Sequence, residues 1–94
     1  MWSASLVRRI EVTDWAKKQL ARISRAEVSR ITAYLRERVS VLENPRSLGT
    51  ALQGAQFGGL WRYRVGDYRV MVDIRDEAVT VMVVALGHRR EVYR

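Results

Sequence analysis

The stretch Trp61-Arg62-Tyr63-Arg64-Val65-Gly66-Asp67-Tyr68-Arg69-Val70 constrains the fold more than any other part of the chain, because it predicts a register as well as a structure. Two runs rich in aromatic and β-branched residues flank the dipeptide Gly66-Asp67, which is the signal for a β-hairpin closed by a two-residue loop. Glycine at the first loop position suits a type II′ turn. Such a turn sets Val65 opposite Tyr68 and Arg64 opposite Arg69. Side chains alternate between the faces of a strand, so Arg62, Arg64 and Arg69 then share one face. Like charges directly opposite across a ladder are unfavourable, at a few tenths to about 1 kcal/mol. A local rule broken at one place points to function. A three-residue turn would separate Arg64 from Arg69.

The same alternation extends outward. Strands are expected at 60–65, 68–74 and 79–87, the last carrying the β-branched run Val79-Thr80-Val81-Met82-Val83-Val84. A four-residue turn at Arg75-Asp76-Glu77-Ala78 places Met71, Met82, Val84 and Leu86 on the arginine face. The opposite face then carries Tyr63, Val65, Tyr68, Val70, Val72, Ile74, Val81 and Val83. That second face belongs against the helices. The arginine face, half apolar and half cationic, calls for a partner segment to cover it.

The N-terminal half supplies those helices. Residues 5–13 alternate as a first strand, and Thr13 or Asp14 offers an N-cap before Trp15, Ala16, Leu20 and Ile23, which fall on one helical face. Ser24-Arg25-Ala26-Glu27 has the form of a capping box. Val28, Ile31, Leu35, Val39 and Leu42 follow as an apolar stripe, which ends where Pro45 forces Asn44 out of helical geometry. A chain of this size needs that stripe as core. Residues 47–59, rich in glycine and small side chains, read as a loop. The expectation is a single α+β domain over 1–94, ordered β-α-α-β-β-β, with a helical hairpin on one face of a mainly antiparallel four-stranded sheet.

Seventeen lysines and arginines, all but Lys17 and Lys18 being arginine, stand against ten acids and give a net charge of +7. That balance points to an anionic partner. With no cysteine there is neither a disulfide framework nor a thiolate metal site. The sequence shows no signal peptide and no apolar run long enough to span a membrane, so a cytoplasmic protein is expected.

Two groups of residues carry candidate chemistry. Arg62, Arg64 and Arg69 would form a preformed phosphate site, since planar guanidinium forks match phosphate oxygens bidentately. The alternative is that they splay into solvent or pair with Asp73 and Glu91. The tail Gly87-His88-Arg89-Arg90-Glu91-Val92-Tyr93-Arg94 adds His88, the side chain whose ordinary pKa suits general acid–base work. It also adds Arg89 and Arg90, and Tyr93, which would stack on a base or close the edge of the core.

The element order, the hairpin with Tyr68-Arg69 opening its second strand, and above all the closing Gly-His-Arg-Arg-Glu-Val-Tyr-Arg resemble the RelE branch of the RelE/ParE toxin superfamily. The resemblance implies a RelE-like, microbial-RNase-like fold. It further implies the toxin of a type II toxin–antitoxin pair, an endoribonuclease that cuts messenger RNA in the ribosome with no metal or cofactor. A cognate antitoxin would neutralise it in a hetero-oligomer, and no membrane would be involved. Carried over by position, Arg62 and Arg64 fall where the family has two basic residues, Arg69 where it binds phosphate, Arg89 where it steadies the transition state or leaving group, and Tyr93 where it stacks on a base. Arg90 joins the RNA-binding set. One departure matters: well-known relatives have lysine where Arg62 and Arg64 stand, and guanidinium, with a pKa above about 12, is a poor base. The base then falls to His88 or Tyr93, or the reaction rests on alignment and charge alone. Two alternatives remain, a ParE-like inhibitor of DNA gyrase without nuclease chemistry and a catalytically silent toxin homologue in a repressor complex.

Overall fold

A computed structural model describes residues 7–52 and 58–89. The chain runs through β1 (Arg9–Val12), α1 (Asp14–Leu20), α2 (Arg25–Tyr34), a π-helical turn (Leu35–Val39), a 3-10 turn (Pro45–Leu48), β2 (Thr50–Ala51), β3 (Leu60–Val65), β4 (Tyr68–Arg75) and β5 (Thr80–His88). The sheet has five strands in the order β1-β5-β4-β3-β2. β1 runs parallel to β5 and every other pairing is antiparallel. The sheet therefore has one strand more than expected. Thr50 and Ala51 lie in the stretch read as loop and pair with Arg62 and Trp61. Gly49 makes this close approach possible, because a Cβ there would sit 3.2 Å from both the Arg62 carbonyl and the Tyr63 ring.

The helix caps follow the sequence. Thr13 is the N-cap of α1, its hydroxyl accepting from the Ala16 amide at 3.2 Å. Ser24 caps α2, accepting from the Glu27 amide at 3.2 Å. Only half of that capping box forms: Glu27 Oε1 is buried without a hydrogen-bond partner among the described residues, 3.6 Å from Arg30 Nη1. Past Tyr34 the expected continuous helix widens by one residue, with the Ser40 amide donating to the Leu35 carbonyl at 2.8 Å. The wider turn still buries both Leu35 and Val39. Trp15 departs from its expected place; it is 61% exposed while its neighbour Ala16 is fully buried. In so short a helix one position on the inner face suffices.

The core lies between this helical layer and one face of the sheet. Ala16, Ile31, Leu35 and Val39 meet Tyr63, Val65, Val70, Val72, Ile74, Val81, Val83 and Leu86. Tyr63 is fully buried, and its hydroxyl donates to the Pro45 carbonyl at 2.7 Å. Burial pushes its pKa up to about 12, with the neighbouring Tyr34 adding to the shift.

The β3–β4 register is the expected one, with Val65 opposite Tyr68 and Arg64 opposite Arg69. Gly66 takes φ +59 while Asp67 does not take positive φ, as a type II′ turn requires. The β4–β5 connection differs in two respects. Its turn is Asp76–Val79, one residue later than expected, and β5 carries a bulge at Val84, which has no partner on β4. The bulge inverts the alternation for the rest of the strand. Leu86, expected on the arginine face, therefore faces the core opposite Val70 and is 2% exposed. Helix α1 satisfies the displaced backbone: the Thr13 hydroxyl donates to the Val84 carbonyl at 2.9 Å, and Gln19 Oε1 accepts from the Leu86 amide at 2.8 Å. At the other end of the sheet Asp76 accepts from Arg8 at 3.2 Å and from Arg46 at 2.9 and 3.3 Å. Chiefly the Arg46 bond holds the Asp76 carboxyl below its ordinary pKa.

Candidate nucleic-acid site

Three adjacent strands meet at the hairpin end of the sheet. Arg64 on β3 faces Arg69 on β4, and Arg69 faces Gly87 on β5. Neighbouring strands run about 4.8 Å apart, so Arg64 and Arg69 project side by side. Gly87 contributes no side chain to this row. The third cation is Arg89, whose amide donates to the Asp67 carbonyl at 2.7 Å, which fixes the strand end against the β3–β4 turn.

The two opposed guanidiniums escape direct repulsion by differing in depth. Arg69 is only 6% exposed, and its Nη1 donates to the carbonyls of Tyr68 at 3.2 Å and Gly66 at 3.4 Å. Backbone carbonyls are suitable partners for a buried cation, which would otherwise be costly to desolvate. Arg64 is exposed and also lines a shallow groove of about 350 Å³ beside Arg30, Tyr34, Glu37 and Arg38 of the helical layer. Arg62 lies two residues further from the turn, half-buried between Thr50 and Met71. Asp73 pairs with Arg75 at 2.9 Å. Met71, Met82 and Ala85 are half-buried and form the apolar part of this face.

His88 is elsewhere. The Val84 bulge turns it to the opposite face, across from Tyr68, whose ring it meets edge-on at a centroid distance of 5.6 Å. There it lines a groove of about 770 Å³ between α1 and β5, with Trp15, Lys18, Arg22 and Leu86. The structure thus brings Arg64 and Arg69 to one end of one face, with Arg62 further along it and Arg89 beside the β3–β4 turn, and sets His88 behind the sheet. Arg90 and Tyr93 lie outside the described residues. Sequence reasoning missed Asp67, whose carboxylate is 3.9 Å from Arg89 Nε. Its signal was present in the two-residue loop itself, which brings any side chain at that position to the site's rim.

A small α+β domain, two helices on one face of a mixed sheet and a cationic end on the other, defines the class of RelE/ParE toxins. The family model for the ParE toxin of the parDE type II toxin–antitoxin system matches residues 10–93, and the chain belongs to this family of type II toxins. Solved structures agree on the fold. The toxin–antitoxin complex RelBE2 from Mycobacterium tuberculosis superposes with a TM-score of 0.78 at 23% identity, over 89% of this chain and 93% of that one. The archaeal RelE–RelB complex from Pyrococcus horikoshii gives 0.70 at 24% identity, over 90% and 98%. The isolated RelE toxin of E. coli gives 0.67 at 20%, over 92% and 90%. No curated protein sequence matches the chain. No helix among the described residues is long and apolar enough to cross a membrane.

Proposed function

We propose that this toxin is an endoribonuclease that cuts messenger RNA held in the ribosome. The observation that carries the reading is the cationic end of the sheet, where Arg64 and Arg69 stand opposite each other and Arg89 follows the end of the next strand, its amide bonded to the β3–β4 turn. In the proposed reaction a ribose 2′-oxygen attacks the adjacent phosphorus and the bond to the 5′-oxygen breaks. The products are a 2′,3′-cyclic phosphate and a 5′-hydroxyl; the proton lost from the 2′-hydroxyl passes to solvent or a base, and the departing oxygen takes one up. Arg64 and Arg69 bind the non-bridging oxygens, where charge grows in the transition state, and Arg89 donates to the departing oxygen. A well-placed donor of this kind contributes about 3–4 kcal/mol. With His88 behind the sheet and arginine in place of lysine, the chemistry rests on charge and on alignment of the 2′-hydroxyl, with Tyr93 the remaining candidate for the proton. Arg62 and Arg90 extend the RNA-binding surface. A helical segment of a cognate antitoxin covers the apolar half of the face, in a cytoplasmic hetero-oligomer.

Primer extension on messages from cells briefly expressing the chain, beside Arg89→Ala, tests this. Discrete cuts within translated frames, reduced about 10²- to 10³-fold in the variant, are expected. The match to the ParE model favours a second reading, inhibition of DNA gyrase. Intact message with gyrase-dependent DNA breakage would establish that reading instead.

A further inference from the structure

The β3–β4 turn is more than a connection. The carbonyls of its residues are directed at arginines: those of Gly66 and Tyr68 accept from Arg69 Nη1 at 3.4 and 3.2 Å, and that of Asp67 accepts from the Arg89 amide at 2.7 Å. The Asp67 carboxylate, 3.9 Å from Arg89 Nε, is the only one within ion-pair distance of Arg89 among the described residues. Gly66 takes φ +59, a conformation strained for any residue with a Cβ, so Asp67 carries the loop's one side chain.

We propose that Asp67 is a positioning residue for Arg89, so that one two-residue turn sets the spacing of Arg69 and Arg89; its consequence for cleavage rests on the ribonuclease reading above. The chemistry of the contact supports it. An arginine at half exposure samples many rotamers, and a substrate that needs one of them must wait for it. A carboxylate 3.9 Å from Nε draws the guanidinium toward the turn by charge while leaving both terminal nitrogens for a phosphate's oxygens. The backbone bond at 2.7 Å fixes where the Arg89 side chain begins, and the carboxylate biases where it goes. A carboxylate near an anion site would otherwise weaken RNA binding. If Asp67 merely repels the substrate, removing its charge should speed cleavage; if it positions Arg89, removal should slow it.

Asp67→Asn keeps shape and turn preference while deleting the charge. Two measurements on the full chain decide the matter. The first is the order parameter of the Arg89 Nε–Hε bond by NMR, which is expected to fall in D67N. An unchanged value overturns the proposal without reference to activity. The second is single-turnover cleavage of ribosome-bound message by wild type, D67N, R89A and the double variant. D67N is expected to lose about 1.5- to five-fold in rate at saturating ribosome complex, the span of an exposed ion pair, with its half-saturating concentration unchanged. In the R89A background D67N should add nothing. A rate equal to or above wild type, or the same loss in both backgrounds, overturns the proposal. A wild-type protein that cuts no message would instead overturn the ribonuclease reading, and the order parameter would still decide Asp67's hold on Arg89.

Discussion

Replacing Tyr63 by phenylalanine removes a single oxygen from the centre of the molecule, and its effect should depend on pH in a defined way. The hydroxyl donates to the Pro45 carbonyl at 2.7 Å, and both residues are buried. Phenylalanine fills the same volume but leaves that carbonyl without its partner, which costs about 1–3 kcal/mol. At roughly 4–8 °C per kcal/mol for a domain of this size, the midpoint of thermal unfolding should fall by about 6–12 °C for a cost near 1.5 kcal/mol. The second effect appears at high pH. Burial, then Tyr34, raises the pKa of the folded state from 10.0 to about 12. A folded pKa above the unfolded one means stability that is complete below pH 10 and is lost as pH climbs through 12. At about 1.4 kcal/mol per pH unit the loss amounts to roughly 3 kcal/mol. Urea unfolding at pH 7, 10, 11 and 12 measures both effects. Wild type should lose stability over the alkaline interval and Tyr63→Phe should lose about that much less. Equal midpoints at pH 7, with parallel decline of the two proteins from pH 10 to 12, would refute the reasoning.

Other perturbations test other parts of the structure. Val79 holds φ +49 in the β4–β5 turn while 40% exposed, a left-handed conformation that a β-branched residue adopts only under strain. Val79→Asn should relieve about 1 kcal/mol and raise the thermal midpoint by several degrees; a lower midpoint would mean that the valine's packing outweighs its strain. Gln19→Met keeps the side chain's length but strips the Leu86 amide of its acceptor. Hydrogen exchange at that amide should accelerate, with a stability loss of about 1–3 kcal/mol, and unchanged protection would show that the bond does not hold the bulge. His88→Gln should leave the cleavage rate unaltered, since His88 faces away from the arginines. A loss of about 10²-fold, the usual contribution of a general base, would restore His88 to the mechanism.

How far these features can be read from the sequence depends on how local their causes are. The β3–β4 register was legible because Gly66 and Asp67 determine it within four residues. The caps at Thr13 and Ser24 were legible for the same reason. The Val84 bulge was not, because Val81 to Leu86 is apolar at every position and an unbroken apolar run carries no alternation to be interrupted. What stabilises the bulge is Thr13 and Gln19, residues remote in sequence, and with it go the placements of Leu86 and His88. The π-helical turn hides similarly, since Leu35 and Val39 keep the apolar spacing whether or not the helix widens between them. β2 escaped because two residues in a run of small side chains carry no strand signal, and only the neighbouring edge of β3 makes them one.

The pairing of the first strand with the last has a kinetic side. Thr13 and Val84 are 71 residues apart, yet the bond between them closes the seam where α1 meets β5. At a synthesis rate of roughly 5–20 residues per second, β1 waits about 4–14 s for its neighbour to be made. Until then the helical hairpin has no completed sheet to pack against, and the strand end that bears Arg89 does not exist. Contacts of such long sequence separation are slow to form even in a finished chain. The cationic end of the molecule is thus completed only once β5 has been made, long after the helices that back the sheet.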